Sequence, residues 1–242
     1  MGENYYIISS NPWDQENTEK LSKLLPGNFF FEKNMDDLFM EEFEMIIPET
    51  VPDKIFFVHY SKTIPKWIYE NYECIVFHMT NLPFGRGGSP LQNLINLGIK
   101  NTMISAIRAI EEIDAGDIYL KRSFYIGDGN ADSILRRASD IIFFDMIPDI
   151  IKGKYNLVKQ NNESKAMTFK RRAPKQSDLN SAILINIDEF YDFIRMLDGV
   201  HYPPAFLNFG DYHIEFKHAC MEGDEVIGDF RIKKSIGSGS SS

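Results

Sequence analysis

The chain has 242 residues, 43% hydrophobic and 13% aromatic, enough for one sizeable domain with a small appendage. Its formal net charge of -9 and scattered basic residues argue against an RNA-sized partner, Lys170-Arg171-Arg172 being a local exception that could hold a phosphate or two. No apolar run approaches the ~20 residues that span a bilayer and no leader pattern is visible, so no membrane partner is expected and a cytoplasmic location is.

The first half alternates strands and helices. Tyr5–Ser9 reads as an apolar strand, followed by the turn Ser10-Asn11-Pro12. Trp13, Leu21, Leu24 and Leu25 then space a short amphipathic helix that stops at Pro26-Gly27. Phe29–Phe31 and Lys54–Tyr60 are further strands, and the second ends in the polar loop Ser61-Lys62-Thr63-Ile64-Pro65. Lys66–Asn71 reads as a short helix and Glu73–Phe77 as the next strand. After a Gly-rich loop, Pro90 opens a helix at its favoured first position. Met103–Ala109 and Ile118–Phe124 form a strand pair around an acidic turn. This order predicts an α/β fold with a mostly parallel, doubly wound sheet.

From Asp128 the pattern turns helical, with Ile134, Ala138, Ile141-Ile142, Met146 and Ile150 on one stripe and Asp128 or Asn130 as the cap. The polar run Gln160-Asn161-Asn162-Glu163-Ser164 marks a boundary or exposed loop. Beyond it come Ile183–Ile187, a helix through Phe190, Ile194 and Leu197, the corner Tyr202–Leu207, and antiparallel strands at His213–Lys217 and Glu225–Ile232. Residues 1–160 are read as one α/β domain, 161–236 as a small α+β extension, and the Gly/Ser-rich 237–242 as a flexible tail. Cys74 and Cys220 form no CxxC and sit in apolar or strand-like contexts, so both are expected to be buried, reduced thiols. No set of metal ligands stands out.

The most informative segment is His78-Met79-Thr80-Asn81-Leu82-Pro83-Phe84-Gly85-Arg86-Gly87-Gly88-Ser89-Pro90-Leu91-Gln92. It follows the strand-like Cys74–Phe77, which places a titratable His at the carboxyl edge of a sheet, where open α/β sheets bind ligands. Further on comes Glu112-Ile113-Asp114-Ala115-Gly116-Asp117-Ile118, an acidic turn between apolar stretches. Alone, a His at a strand end is most often structural, and Asp-x-Gly is simply a turn. Together, the His-x-(Ser/Thr)-x-Leu-Pro pattern, the Arg-Gly-x-x-Pro-Leu that follows it and the Asp-x-Gly resemble the core of the 10-formyltetrahydrofolate-dependent formyltransferases.

That resemblance implies a Rossmann-like formyltransferase domain, with His78 as general base and oxyanion donor and Asp114 orienting it. It also implies 10-formyltetrahydrofolate as co-substrate, held largely through backbone groups of Ser61, Lys62, Thr63 and Ile64 and of Ile110, Glu111, Glu112 and Ile113. The family usually carries Asn-x-His, and here the residue two before His78 is Val76, which cannot donate a hydrogen bond. Gln92 and Asn93, in the first helical turn after the loop, are the preferred replacements, with Asn81 a third.

For the acceptor, Phe169–Leu179 resembles the Arg-Arg-x-Pro stretch of sugar formyltransferases, and Tyr202-Pro203-Pro204-Ala205-Phe206 their following turn. Thr80, Arg86, Gly87, Gly88, Ser89, Arg171 and Arg172 are therefore expected at a nucleotide-linked amino sugar, with the two arginines on its diphosphate. The expected reaction is formylation of a 4-amino-4,6-dideoxy sugar, as in surface-polysaccharide or pseudaminic acid biosynthesis. The alternatives are a methionyl-tRNA or peptide-synthetase-type formyltransferase, or a folate-binding protein without turnover. No nucleic-acid partner is expected, and a homodimer is compatible with the sequence.

Overall fold

Three segments are apolar at nearly every position, and such segments become strands covered on both faces. The computed structural model describes residues 2–33, 50–161 and 167–234. Asn162 to Ser164 of the expected boundary loop, and the 237–242 tail, lie outside the described residues. Strands β1 (Asn4–Ser9), β2 (Asn28–Glu32), β3 (Lys54–Val58) and β4 (Cys74–His78) run parallel in the order β2-β1-β3-β4. Helices α1 (Asp14–Ser22) and α2 (Lys66–Asn71) lie between them in the chain. Ile68 of α2 packs against Tyr6, Ile8, Ile55, Phe57 and Cys74, all buried.

The sheet is completed by β6 (Asn101–Arg108) and β7 (Ile118–Tyr125). β6 runs antiparallel to β4 with His78 opposite Ser105 and Ile75 opposite Arg108, so the doubly wound expectation holds with an antiparallel flank. A second pairing was not visible in the sequence. β5 (Arg86–Gly87) pairs in parallel with β8 (Thr168–Phe169), clamping the Gly-rich loop to a distant segment.

The long helical stripe is not one continuous helix. It forms α4 (Ala131–Ile141), a π-helical turn (Ile142–Met146) and α5 (Ile147–Ile151). Pro148 explains the break, because its ring displaces the carbonyl one turn earlier and it donates no N–H. Of the two expected caps Asn130 serves, its Oδ1 accepting from Ser133 N at 3.0 Å. α4 is tied to the edge of the sheet by Ser139, whose hydroxyl accepts from Trp13 Nε1 at 3.0 Å and bonds His59 Nε2 at 2.9 Å. Arg136 lies over the Trp13 ring, 4.1 Å from its centroid.

The chain separates into two compact units. The first holds the six-stranded sheet and comprises residues up to Pro90, Thr102–Phe124 and Leu135–Phe169. The second comprises Leu91–Asn101, Tyr125–Ile134 and the chain from Lys170 onward. It contains most of α3 (Pro90–Asn96), then α6 (Ile187–Arg195) and an antiparallel sheet of β9 (Ala205–Phe209), β10 (Tyr212–Glu222) and β11 (Glu225–Lys234). The expected Tyr202–Leu207 corner thus leads into a third strand. Cys74 is buried as expected, and burial pushes its thiol up to about 12. Cys220 is exposed, contrary to expectation, because β10 breaks register between Lys217 and Cys220 and its last turn of hairpin faces solvent. Among the described residues no helix is long and apolar enough to cross a membrane.

The second unit is organised around a buried cation. Arg195 is 2% exposed, donates from Nη1 to Ile126 O and Gly129 O at 3.0 Å each, and pairs through Nε with Asp192 Oδ1 at 2.6 Å. Arg195→Met would leave two buried carbonyls without their donor and Asp192 without its cation. The unfolding free energy should fall by about 3 kcal/mol, measured by urea denaturation. A loss no larger than that of an ordinary surface substitution, about 0.5 kcal/mol, would show that the guanidinium is dispensable.

Candidate active site

The strand β4 ends on His78, and Pro83 and Gly85 turn the chain away beyond it. His78 is 6% exposed. Its Nε2 lies 2.8 Å from Gly85 O and its Nδ1 3.5 Å from Asp114 Oδ2. A carbonyl oxygen only accepts, so Nε2 carries a proton in this arrangement. The Asp114 contact is longer than a strong hydrogen bond. The expected His78–Asp114 pair is therefore brought together, with the ring held in the form that donates from Nε2.

Asp114 reaches His78 by an indirect route. β6 leaves the sheet beside the start of β4, as Ile75 opposite Arg108 shows, so the turn must fold back to bring Asp114 to the other end of that strand. It does so through a left-handed residue, Asp114 itself at φ 56°. Gly116 permits the fold, since a Cβ there would sit 1.8 Å from Arg108 O. Gly87 N donates to Asp114 Oδ2 at 2.9 Å, the same oxygen that faces His78. Gly87 has no room for a side chain either, as a Cβ would lie 2.3 Å from Phe169 O.

Arg86, expected at the substrate, is 8% exposed and occupied within this scaffold. Its Nε and Nη2 donate to Gln160 Oε1 at 3.1 and 2.8 Å, and its Nη1 pairs with Glu112 Oε1 at 3.0 Å. Arg86 thus supports the site rather than presenting a free guanidinium. Gln160 was not singled out in the sequence. It sits in a polar run that reads as surface loop, and no local pattern marks a Gln whose partners are contributed by two remote loops. Thr80 is fully buried, and its hydroxyl has no hydrogen-bond partner among the described residues. Its carbonyl accepts from Ser105 Oγ at 2.7 Å. Gly88 N donates to Phe169 O at 3.1 Å, and Ser89 adopts a left-handed backbone at φ 51°.

The replacements expected for the missing amide are engaged elsewhere. Gln92 and Asn93 belong to the second unit, where Gln92 Nε2 donates to Met196 O at 3.1 Å and Asn93 Nδ2 to Lys170 O at 3.2 Å. Gln92 is 1% exposed, and its Oε1 has no hydrogen-bond partner among the described residues. Asn81 turns its Oδ1 to Lys121 Nζ at 2.7 Å. Val76 shares its strand face with His78 by the two-residue period and packs against the cluster of Leu82, Ile107 and Ile118.

The two loops expected at the folate border one apolar surface, since Ile64 and Ala109 pack on the same cluster. Ser61, Lys62 and Thr63 are exposed, as are Ile110, Glu111, Glu112 and Ile113. In the second unit Arg172 is half-buried, which pulls its pKa down, and its Nη2 donates to Gln176 O at 2.6 Å. It borders a cavity of about 150 Å³ with Asn96, Leu184 and Phe193, smaller than the ≈ 300–1,000 Å³ of usual ligand pockets. Arg171 is exposed. Among the described residues no group of three His, Cys, Asp or Glu is placed to hold a metal ion.

Comparison with known proteins bears on the family and the fold. Residues 174–233 match the family model described as methionyl-tRNA formyltransferase, C-terminal domain. A methionyl-tRNA formyltransferase of Bacillus cytotoxicus is 29% identical over 164 residues, covering 65% of this chain and 51% of that protein. The chain therefore spans about half the length of the curated relatives it matches. A solved structure of a methionyl-tRNA formyltransferase from Clostridium thermocellum superposes with a TM-score of 0.86 at 44% identity, over 96% of this chain and 99% of that one. A sugar N-formyltransferase from Shewanella sp. FDAARGOS_354 superposes with a TM-score of 0.63 at 16% identity over 94% and 96% of the two chains, which shows the shared fold alone. The sugar-nucleotide branch expected from the sequence is thus narrower than these relatives support. A likeness of 44% identity that runs through nearly all of both chains is shared ancestry of the whole framework, and the protein belongs to the formyltransferase family.

Proposed function

We propose that this protein is an N-formyltransferase that moves a formyl group from 10-formyltetrahydrofolate to a primary amine. The observation that carries the reading is Asp114 Oδ2 held at once against Gly87 N and His78 Nδ1 at the end of β4. In the reaction a C–N bond forms to the acceptor amine and the formyl C–N bond to the folate breaks. The amine loses a proton, and the departing nitrogen gains one.

His78 has the chemistry for that proton. Protonated on Nε2, it donates to the oxyanion that develops on the formyl oxygen; with that proton delivered to the leaving nitrogen, Nε2 takes the proton of the attacking amine. Asp114 faces Nδ1 and stabilises the ring while both nitrogens are protonated. The Gly85 carbonyl must give up Nε2 before either exchange. The folate, when bound, supplies the activated formyl group. The residues present suit it: exposed Ile110 and Ile113 offer apolar faces beside backbone polar groups of the same turn, and Ile64 lines the loop opposite.

For the acceptor, the relatives named methionyl-tRNA formyltransferase favour a methionyl-tRNA. A nucleotide-linked amino sugar is the second reading, favoured by the formal net charge of -9, which suits an RNA poorly. Incubation with 10-formyltetrahydrofolate and, separately, methionyl-tRNA and a panel of 4-amino sugar nucleotides, followed by mass spectrometry, decides between them. Product with the sugars alone would remove the tRNA reading, and product with neither would favour a folate-binding protein without turnover. In the active pair, His78→Asn and Asp114→Asn should each lower kcat by about 100-fold or more.

Val76 gives a further test. If the oxyanion is one donor short, Val76→Asn restores an amide on the His78 face of β4 and should raise kcat at least about 10-fold, with about 1 kcal/mol lost from the apolar cluster it leaves. An unchanged kcat in a folded variant would mean that the oxyanion is already fully supported by other donors.

A further inference from the structure

Gln160 stands outside the residues given a part in the reaction. Its side chain is 9% exposed and its four hydrogen-bonding positions are filled. Oε1 accepts twice from Arg86, and Nε2 donates twice, to Asp114 O and Gly116 O, at 2.8 Å each. The amide orientation is fixed by this network, since turning it over would set N–H groups against a guanidinium and an oxygen against two carbonyls. The backbone carrying it is also anchored: Val158, two residues earlier, exchanges both backbone hydrogen bonds with Ile118 at the start of β7.

We infer that Gln160 is a positioning residue that locks the Asp114 turn to the Arg86–Gly87 segment, so that the Asp114 carboxylate faces His78. The inference rests on the formyl-transfer reading for its kinetic consequence, but its geometry is independent of it. Asp114 is a non-glycine residue in a left-handed conformation, a state that persists only where its surroundings hold it. Gln160 grips the carbonyl of that strained residue and the carbonyl of Gly116 two residues on. Through Oε1 it also grips Arg86, whose neighbour Gly87 donates to the carboxylate itself. One amide therefore fixes the carboxylate at its backbone and, through the Arg86–Gly87 strand, at its oxygen.

The test compares Gln160→Glu and Gln160→Leu with Asp114→Asn and with the Asp114→Asn/Gln160→Glu double variant. Glu keeps a partner for Arg86, so that variant retains the buried cation's pairing, while both donors to the turn are lost. Gln160→Glu should lower kcat by about 100-fold, the scale of a 1 Å misplacement, with little change in KM for either substrate. In the Asp114→Asn background the same change should have almost no effect, because the carboxylate that Gln160 positions is already gone. Multiplying losses would overturn the inference, as would full kcat in Gln160→Glu. A second readout needs no turnover. The 15N shifts of the His78 ring nitrogens report which of them carries the proton, and both Gln160 variants should reproduce the Asp114→Asn pattern. A wild-type pattern in either would sink the positioning role. If the unmodified protein formylates no acceptor at all, the functional reading falls, and the ring-nitrogen comparison still decides what Gln160 does.

Discussion

One carboxylate oxygen organises this protein. Asp114 Oδ2 accepts from Gly87 N and faces His78 Nδ1, so a turn after β6, a Gly-rich strand and the end of β4 meet at a single atom. Each segment reaches that point under its own constraint. The turn folds back through a left-handed aspartate, the strand has glycine where a Cβ would strike Phe169 O, and β4 ends on the histidine. Buried hydrogen bonds of this kind contribute modestly when made and cost much more when one partner is missing. The arrangement is accordingly all-or-none in character, and its parts are spread over three remote stretches of chain.

The glycines of this region serve proximity more than flexibility. Gly87 and Gly116 each bring backbone against backbone at distances that exclude a side chain, and β5 pairs with β8 through that approach. The pairing holds the loop that follows His78 flat against Thr168 and Phe169, with Gly85 N donating to Met167 O at 2.8 Å and Phe84 meeting the Phe169 ring edge-on. The loop that carries Arg86 and Gly87 is thereby tied down by backbone and ring contacts at once. The buried Arg86 fits the same logic. Its charge is shared between the amide of Gln160 and the carboxylate of Glu112, and a guanidinium is suited to that split because its donors point in fixed, separate directions.

The second unit shows a related solution in a different setting. Arg195 and Asp198 are both nearly buried, and each satisfies backbone or amide groups contributed by other segments: Ile126 O and Gly129 O for the arginine, Asn130 Nδ2 and His218 N for the aspartate. Charged side chains here take the part that further apolar packing would play in a larger core. The outer sheet is left with Phe209, Phe230 and Ile232 well exposed, as expected of a small unit that can cover only one face of a three-stranded sheet.

How much of this was legible in the sequence depended on the range of the forces involved. Apolar runs gave β1, β3 and β4 their places, because burial on both faces needs nothing beyond composition, and the end of such a run located His78. The Pro/Gly loop and the acidic turn were visible as local punctuation, and their joint pattern pointed to the family before any geometry was known. What remained hidden was set by partners far away in the chain. The antiparallel course of β6, the clamp of β5 on β8, the burial of Arg86 and the work of Gln160 follow from which loops meet, and an Arg or Gln in a polar stretch looks the same whether it is solvated or enclosed. Gln92 and Asn93 illustrate the converse, since first-turn amides that could donate to a ligand are instead drawn to Met196 and Lys170 carbonyls. Sequence alone determined the buried strands β1, β3 and β4 and marked the histidine and the aspartate proposed for the site, because local periodicity and side-chain chemistry suffice for those. Only the tertiary structure decided how the aspartate is held against the histidine, because a hydrogen bond between remote segments leaves no periodic trace in the chain.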